Sequence, residues 1–169
     1  MIEIGQRLPA ATLREFIPQS DACALGPQTL QVPQALEGRS LVLVGVPGAF
    51  TPACSERHLP GFVELAPRFA ERGVDELWCV ATNDAFVMGA WGAHTGAAPT
   101  VRMLSDGNAE FTRALGLSLD LSAKGLGPRS QRYAMWVVDG VVKALRVDAS
   151  GAMQSSDAAT LLADVEALQ

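Results

Sequence analysis

Apolar and polar residues alternate in two stretches near the start of the chain, Ala11-Thr12-Leu13-Arg14-Glu15-Phe16 and Gln28-Thr29-Leu30-Gln31-Val32. A period of two belongs to half-buried strands, and the polar, Gly-containing bend between them predicts an N-terminal β-hairpin. Three later stretches are apolar almost throughout: Ser40 to Val46, Glu76 to Thr82 and Val101 to Leu104. Such runs suit central strands covered on both faces. Arg132 to Val138 and Val141 to Val147 flank Asp139-Gly140, a strong hairpin signal.

Between these strands the period changes to that of a helix. Pro33 to Gly38 predicts a single helical turn. From Pro52 onward, and clearly from Cys54 to Arg72, Leu59, Phe62, Val63, Leu65, Ala66 and Phe69 form an apolar stripe. Pro60-Gly61 should kink or divide that helix, because proline lacks the amide an inner turn needs. Asn83 or Asp84 caps a helix through Phe86, Val87 and Trp91. A shorter helix follows over Ala109 to Leu115. Ser156 is the expected cap of a last helix whose Leu161, Leu162, Val165 and Leu168 face inward. Alternating strands and helices imply an α/β fold, a mixed central sheet with helices on both faces. The pattern fits a thioredoxin-like fold. Residues 1–169 read as one domain, with no repeat and no linker.

Composition changes this picture little but excludes some functions. The 169 residues are 49% hydrophobic and 18% charged, and the formal charge of −5 offers no cationic field for nucleic acid or anionic lipid. The first residues lack a basic and an apolar segment of the signal-peptide kind, and no apolar run is long enough to span a bilayer. These features lead to the expectation of a soluble, cytoplasmic protein. Cys23, Cys54 and Cys79 form neither an even disulfide set nor a Cys-x-x-Cys pair, and with only His58 and His94 they supply no zinc site. No metal or cofactor is implied.

Of the three, Cys54 is the candidate for chemistry. It lies after the carboxyl end of a buried strand and just inside a helix that Pro52 begins. Free amides and the helix dipole favour an anion there, and a thiolate is one. Thr51, three residues earlier, offers a hydroxyl that both donates and accepts. Pro47 and Pro52 leave the loop few conformations to lose when a substrate binds. A thioredoxin-type disulfide reductase would need the missing Cys-x-x-Cys.

Pro47-x-x-x-Thr51-x-x-Cys54 resembles the active-site signature of the peroxiredoxins. The longer run Gly45 to Ser55, with His58-Leu59-Pro60-Gly61-Phe62, Asn83 to Val87, Trp91 and Val138 to Leu145, is similar to the peroxiredoxin 5 subfamily. The resemblance covers the chain from about Gly5 onward and implies a thiol peroxidase acting on hydrogen peroxide and organic hydroperoxides. It assigns Cys54 as peroxidatic nucleophile, Thr51 as the hydroxyl that bonds the peroxide, and Pro47 as the shield of the sulfur. It assigns Arg132 as the cation at the sulfur, with Arg129 a nearby candidate. The amides of Ala53 and Cys54 would complete the substrate-binding donors. A dimer packed near these loops is also implied.

The rest of the cycle follows from the other cysteines. Cys79 lies in a strand whose apolar run predicts burial, at a position the subfamily uses structurally. Cys23 falls in a polar loop and is expected to be exposed. The segment Ala149 to Ser156, where some relatives carry a resolving cysteine, has none. A one-cysteine cycle is therefore expected, with glutathione or a glutaredoxin as reductant and thioredoxin as the alternative donor. The competing reading is a redox sensor or chaperone-like protein with little turnover. His58, four residues after Cys54, is read as a supporting or surface group rather than a base, and His94 as a surface residue. Phe50, Phe86 and Trp91 belong to the core, or to a pocket rim or dimer contact.

Overall fold

The computed structural model describes residues 1–149 and 152–169. Part of the Ala149 to Ser156 segment thus lies outside the described residues. Among the described residues nine strands form: β1 (Thr12–Glu15), β2 (Gln28–Gln31), β3 (Ser40–Gly45), β4 (Glu76–Ala81), β5 (Val101–Ser105), β6 (Ser118–Asp120), β7 (Pro128–Ser130), β8 (Tyr133–Val138) and β9 (Val141–Val147). The helices are α1 (Val32–Leu36), α2 (Leu59–Glu71), α3 (Ala85–Thr95), α4 (Glu110–Ala114) and α5 (Ala158–Ala167).

Seven strands make one sheet in the order β2-β1-β5-β4-β3-β8-β9, with β3, β4 and β5 parallel and the outer strands antiparallel. The sheet is therefore mixed, and the expected N-terminal hairpin forms one of its edges. β6 and β7 pair separately, in a hairpin of three-residue strands that the apolar pattern did not announce. Their short, polar sequences carry almost no period-two signal.

Alternation along the central strands divides the core in two. Val42, Val44, Cys79, Ala81, Ala134 and Trp136 point to one face, where α2, α3 and α5 supply Phe62, Phe69, Trp91 and Leu161. Leu41, Leu43, Trp78, Val80, Tyr133 and Met135 point to the other, covered by α1 and α4 through Val32, Leu36 and Phe111. Each central strand thus buries both faces, which explains its continuous apolar run. Gly45 is needed where β3 passes Tyr133, because a Cβ there would fall 2.0 Å from the ring.

The long helix is divided as expected, but by a change of winding. Pro52 and Ala53 are helical, Cys54–His58 form a π turn, and the Leu59 amide bonds back to the Cys54 carbonyl, five residues away. Pro60 has no amide to give to Glu56, so the ordinary ladder cannot pass through this point. Taking one extra residue into the turn absorbs that defect.

Four expectations need correction. Asp157, not Ser156, caps α5, its carboxylate accepting from the Thr160 amide at 3.0 Å. Leu168 is exposed, since α5 ends at Ala167 and does not carry it inward. α4 begins at Glu110 because Ala109 takes a left-handed conformation, while Asp106 receives the Phe111 and Thr112 amides. Cys23 is buried, its sulfur accepting from the Ile17 amide at 3.4 Å inside the bend of the N-terminal hairpin. Of the two candidates for capping α3, Asp84 takes the role.

Candidate active site

β3 ends at Gly45, and the chain turns through Pro47 to Thr51 before entering the helix that carries Cys54. This loop is held from outside. Asn83, just past β4, accepts the Ala49 amide at 2.8 Å, and Arg129 donates to both the Pro47 carbonyl and the Asn83 side chain at 3.3 Å. Gly48 leaves room for that guanidinium, which would lie 2.8 Å from a Cβ. Arg129 therefore braces the loop.

Arg132 is the arginine at the sulfur. It stands immediately before β8, which pairs with β3, so the sheet sets its backbone beside the start of the Cys54 helix. Its Nη2 lies 3.4 Å from Cys54 Sγ, and both residues are nearly sealed from solvent. The Thr51 hydroxyl donates to the Gly48 carbonyl at 2.7 Å. With its proton committed there, its oxygen remains an acceptor. The Ser55 amide closes the first helical turn on the Thr51 carbonyl, so the amides of Ala53 and Cys54 belong to the unclosed start of the helix. Pro47 and Arg132 share a cleft of about 120 Å³ with Leu119, Gln131 and Asp148. A larger cavity of about 760 Å³ lies on the far side of α3, between Phe16 and Met103, and contains none of these groups.

The second nitrogen of the guanidinium reaches His58. Arg132 Nη1 lies 3.2 Å from His58 Nδ1, and His58 Nε2 lies 2.8 Å from the Ser156 carbonyl and 3.2 Å from its Oγ. Ser156 Oγ donates to Asp148 at 2.6 Å. Burial lowers the His58 pKa to about 4; the bond to the Ser156 carbonyl opposes this, and the Arg132 cation adds to it. The ring is neutral at ordinary pH, which excludes it as an added cation at the sulfur. Burial works against the Asp148 carboxylate, but bonds from Ser156, Ser155 and Gln154 outweigh it and hold the pKa at about 2. Nothing in the residue pattern marks Asp148 or Ser156 as members of the site: one reads as a strand end, the other as a cap.

The other candidates fall elsewhere. Cys79 is fully buried on β4, facing the same core as Cys54, and burial pushes its thiol well up, with Cys54 adding to the effect and Arg132 opposing it. Trp91 is core, and its indole donates to Ser55 beside Cys54 at 3.0 Å. Phe50 is half-exposed with φ at 60°, its ring 5.7 Å from that of His94, which is exposed as expected. Phe86 is also exposed and packs on Phe16.

Residues 3–162 match the Redoxin family. The chain is 49% identical over 164 residues to peroxiredoxin-2E-2, chloroplastic, of Oryza sativa subsp. japonica, covering 95% of this chain and 71% of that protein. Among solved structures, reduced Prx3 of Vibrio vulnificus in complex with hydrogen peroxide superposes with a TM-score of 0.89 at 45% identity, covering 98% and 99% of the two chains. A Burkholderia cenocepacia protein provisionally described as a thioredoxin reductase gives 0.92 at 53% identity, covering 96% and 97%. The Cys-x-x-Cys of a thioredoxin-type reductase does not occur in this chain. With sequence and fold agreeing over nearly its whole length, this chain belongs to the redoxin family and is a peroxiredoxin, of the peroxiredoxin 5 type.

Proposed function

We propose that this peroxidase reduces hydrogen peroxide and organic hydroperoxides through Cys54, and that an external thiol, glutathione or a glutaredoxin, restores the sulfur. The observation that carries the reading is the 3.4 Å approach of Arg132 to Cys54 Sγ, both almost free of solvent. Arg132 is a permanent cation whose fixed donor directions aim at the attacking sulfur.

In the first step the thiolate attacks one peroxide oxygen and the O–O bond breaks. Cys54 becomes a sulfenic acid, and the leaving oxygen takes a proton to give water or an alcohol. Thr51, its own proton donated to Gly48, is free to accept a hydrogen bond from the bound peroxide. Arg132 and the amides of Ala53 and Cys54 would stabilise charge as it moves from sulfur to oxygen; one such donor is commonly worth roughly 3 kcal/mol. Pro47 shields the sulfur from the cleft side. One thiol then displaces water from the sulfenic acid to form a mixed disulfide. A second thiol releases Cys54 and leaves as half of the oxidised donor.

The one-cysteine cycle is supported by the burial of both other cysteines. Cys79 is held as the neutral thiol, a poor attacker, and Cys23 is enclosed by the N-terminal hairpin. Exposed Phe50 and Phe86 support a homodimer built beside the active-site loop. Three unpaired thiols suit a reducing compartment, and we place the protein in the cytoplasm.

Stopped-flow peroxide reduction by wild type and Cys54→Ser, supplied in parallel with glutathione and glutaredoxin or with thioredoxin, tests this. Turnover with the former, abolished by the substitution, is expected. Turnover with thioredoxin alone would return Cys23 or Cys79 as a resolving cysteine. Rapid oxidation of Cys54 without turnover on any donor would favour the sensor.

A further inference from the structure

Arginine can only donate, so the Arg132 contact requires a bare Nδ1 on His58. The ring proton is then on Nε2, where it meets the Ser156 carbonyl and Oγ. The Ser156 hydroxyl has two ways to point. Turned toward His58, it would donate to Nε2 and force the ring proton onto Nδ1, against the guanidinium. The carboxylate of Asp148, an acceptor only, takes the hydroxyl proton and prevents that rotation. Every donor in the row from Arg132 through His58 and Ser156 to Asp148 thus points the same way, and bonds so aligned polarise one another.

All four side chains are buried, and among the described residues no buried side-chain nitrogen or oxygen lacks a partner. Asp148 is also tied down independently of Ser156: its second oxygen accepts the Gln154 and Ser155 amides and the Ser155 hydroxyl.

We propose that Ser156 and Asp148 are positioning residues for the peroxide step, fixing His58 as the Nε2–H tautomer so that Nδ1 holds the Arg132 guanidinium against the Cys54 sulfur. The proposal rests on Cys54 being the peroxidatic residue. Neither residue touches the sulfur, and both act through His58. Ser156→Ala keeps the backbone carbonyl that accepts from Nε2–H, and with it the tautomer, but loses the bond that ties Ser156 to Asp148, so the ring and the guanidinium it holds can swing. Reaction geometry is sensitive to such displacement, and a shift of about 1 Å can cost a factor of about 100.

The test uses the full-length protein with Ser156→Ala, Ser156→Thr and Asp148→Asn. The rate of Cys54 oxidation by hydrogen peroxide is followed by tryptophan fluorescence, since Trp91 bonds Ser55 next to the reacting sulfur. The His58 tautomer is read from imidazole ¹⁵N shifts. Wild type should show the neutral Nε2–H form. Ser156→Ala should keep that form, held by the backbone carbonyl, and react at least tenfold more slowly, and Ser156→Thr, which keeps the hydroxyl, should recover most of the rate, by the same sensitivity to geometry. Asp148→Asn should resemble Ser156→Ala; if it fails to fold, the two Ser156 variants decide alone. A folded Ser156→Ala protein that reacts within about twofold of wild type, or a wild type whose His58 carries its proton on Nδ1, would overturn the proposal. Failure of wild-type Cys54 to react at all would remove the peroxidase reading itself, a result distinct from unchanged variants of a reactive wild type.

Discussion

Asp148 holds Arg132 from two directions: its amide donates to the Arg132 carbonyl at 2.9 Å, and its carboxylate reaches the guanidinium through Ser156 and His58. The pairing of Tyr133 with Val147 puts the two residues opposite each other just beyond the β8–β9 ladder. Backbone and side chain of the arginine are therefore oriented by one residue, and the ring of contacts closes on itself. Small rotations of the guanidinium must break at least one bond in it.

Arg132→Lys should fail to replace the native residue. A lysine keeps the charge but not the planar fork that serves Cys54 and His58 together. The second-order rate of peroxide reduction should fall about 100- to 1000-fold for Arg132→Ala, as for loss of one preset donor. Arg132→Lys should recover no more than a small part of it. Near-native rates in the lysine variant would mean that charge alone is enough.

Arg129→Ala should have a smaller effect of another kind. This side chain touches the loop through Pro47 and Asn83, not the sulfur. We expect the peroxide rate to fall about tenfold through loosened geometry. Loop amides around Ala49 should exchange hydrogen faster, because local bracing raises the free energy of opening. A loss as large as that of Arg132→Ala would give Arg129 a direct part in the chemistry.

Gly45→Ala tests the packing beneath the site. Its methyl would meet Tyr133 at 2.0 Å, and overpacking of this kind costs about 1–3 kcal/mol. Denaturant unfolding should show that loss. Combining it with Tyr133→Leu should restore part of it, since the obstructing ring edge is then gone. Simple additivity of the two substitutions would show that the ring is not what excludes the methyl.

Stability should fall between pH 6.5 and 4 because of His58. The unfolded chain takes up a proton on this residue near 6.5, whereas the folded protein resists until about 4, chiefly through burial. Across that window the unfolded state binds more protons, so stability rises with pH and is lost on acidification. The charges that bear on the ring are Arg132, which lowers its pKa, and Asp148 and Asp157, which raise it. Asp148, held at about 2, contributes only at lower pH. Urea midpoints at pH 7 and pH 4.5 should differ less in His58→Gln than in wild type. Equal differences would assign the loss to other groups.

Much of this arrangement is legible in the residues alone. Leu41 to Val46 buries both faces because its two apolar sets each meet a separate layer of helices. Cys54 follows a proline-started helix, and the block around Arg132 separates it from Arg129. Other features have no local signature. Ser156 and Asp157 are equally good caps by type, and the backbone conformation at Asp157 decides between them. Cys23 sits among polar neighbours yet is buried, because its sulfur turns inward to the Ile17 amide and the Glu15 carbonyl at the end of β1. Asp148 and His58, 90 residues apart in sequence, are joined through Ser156, a connection that no periodicity reports.

The π turn at Cys54 makes this part of the chain intolerant of changes in length. Successive residues of an α-helix are about 100° apart around its axis, so deleting one residue between Cys54 and His58 would restore ordinary winding at the expense of direction. Either the sulfur would turn away from Arg132 or the imidazole from Ser156. Substitutions at the exposed Glu56 and Arg57 should therefore leave the alignment undisturbed, while an insertion or deletion there breaks it at once. In evolutionary terms, the missing amide of Pro60 acts as a ratchet: the segment can vary in composition but is fixed in count.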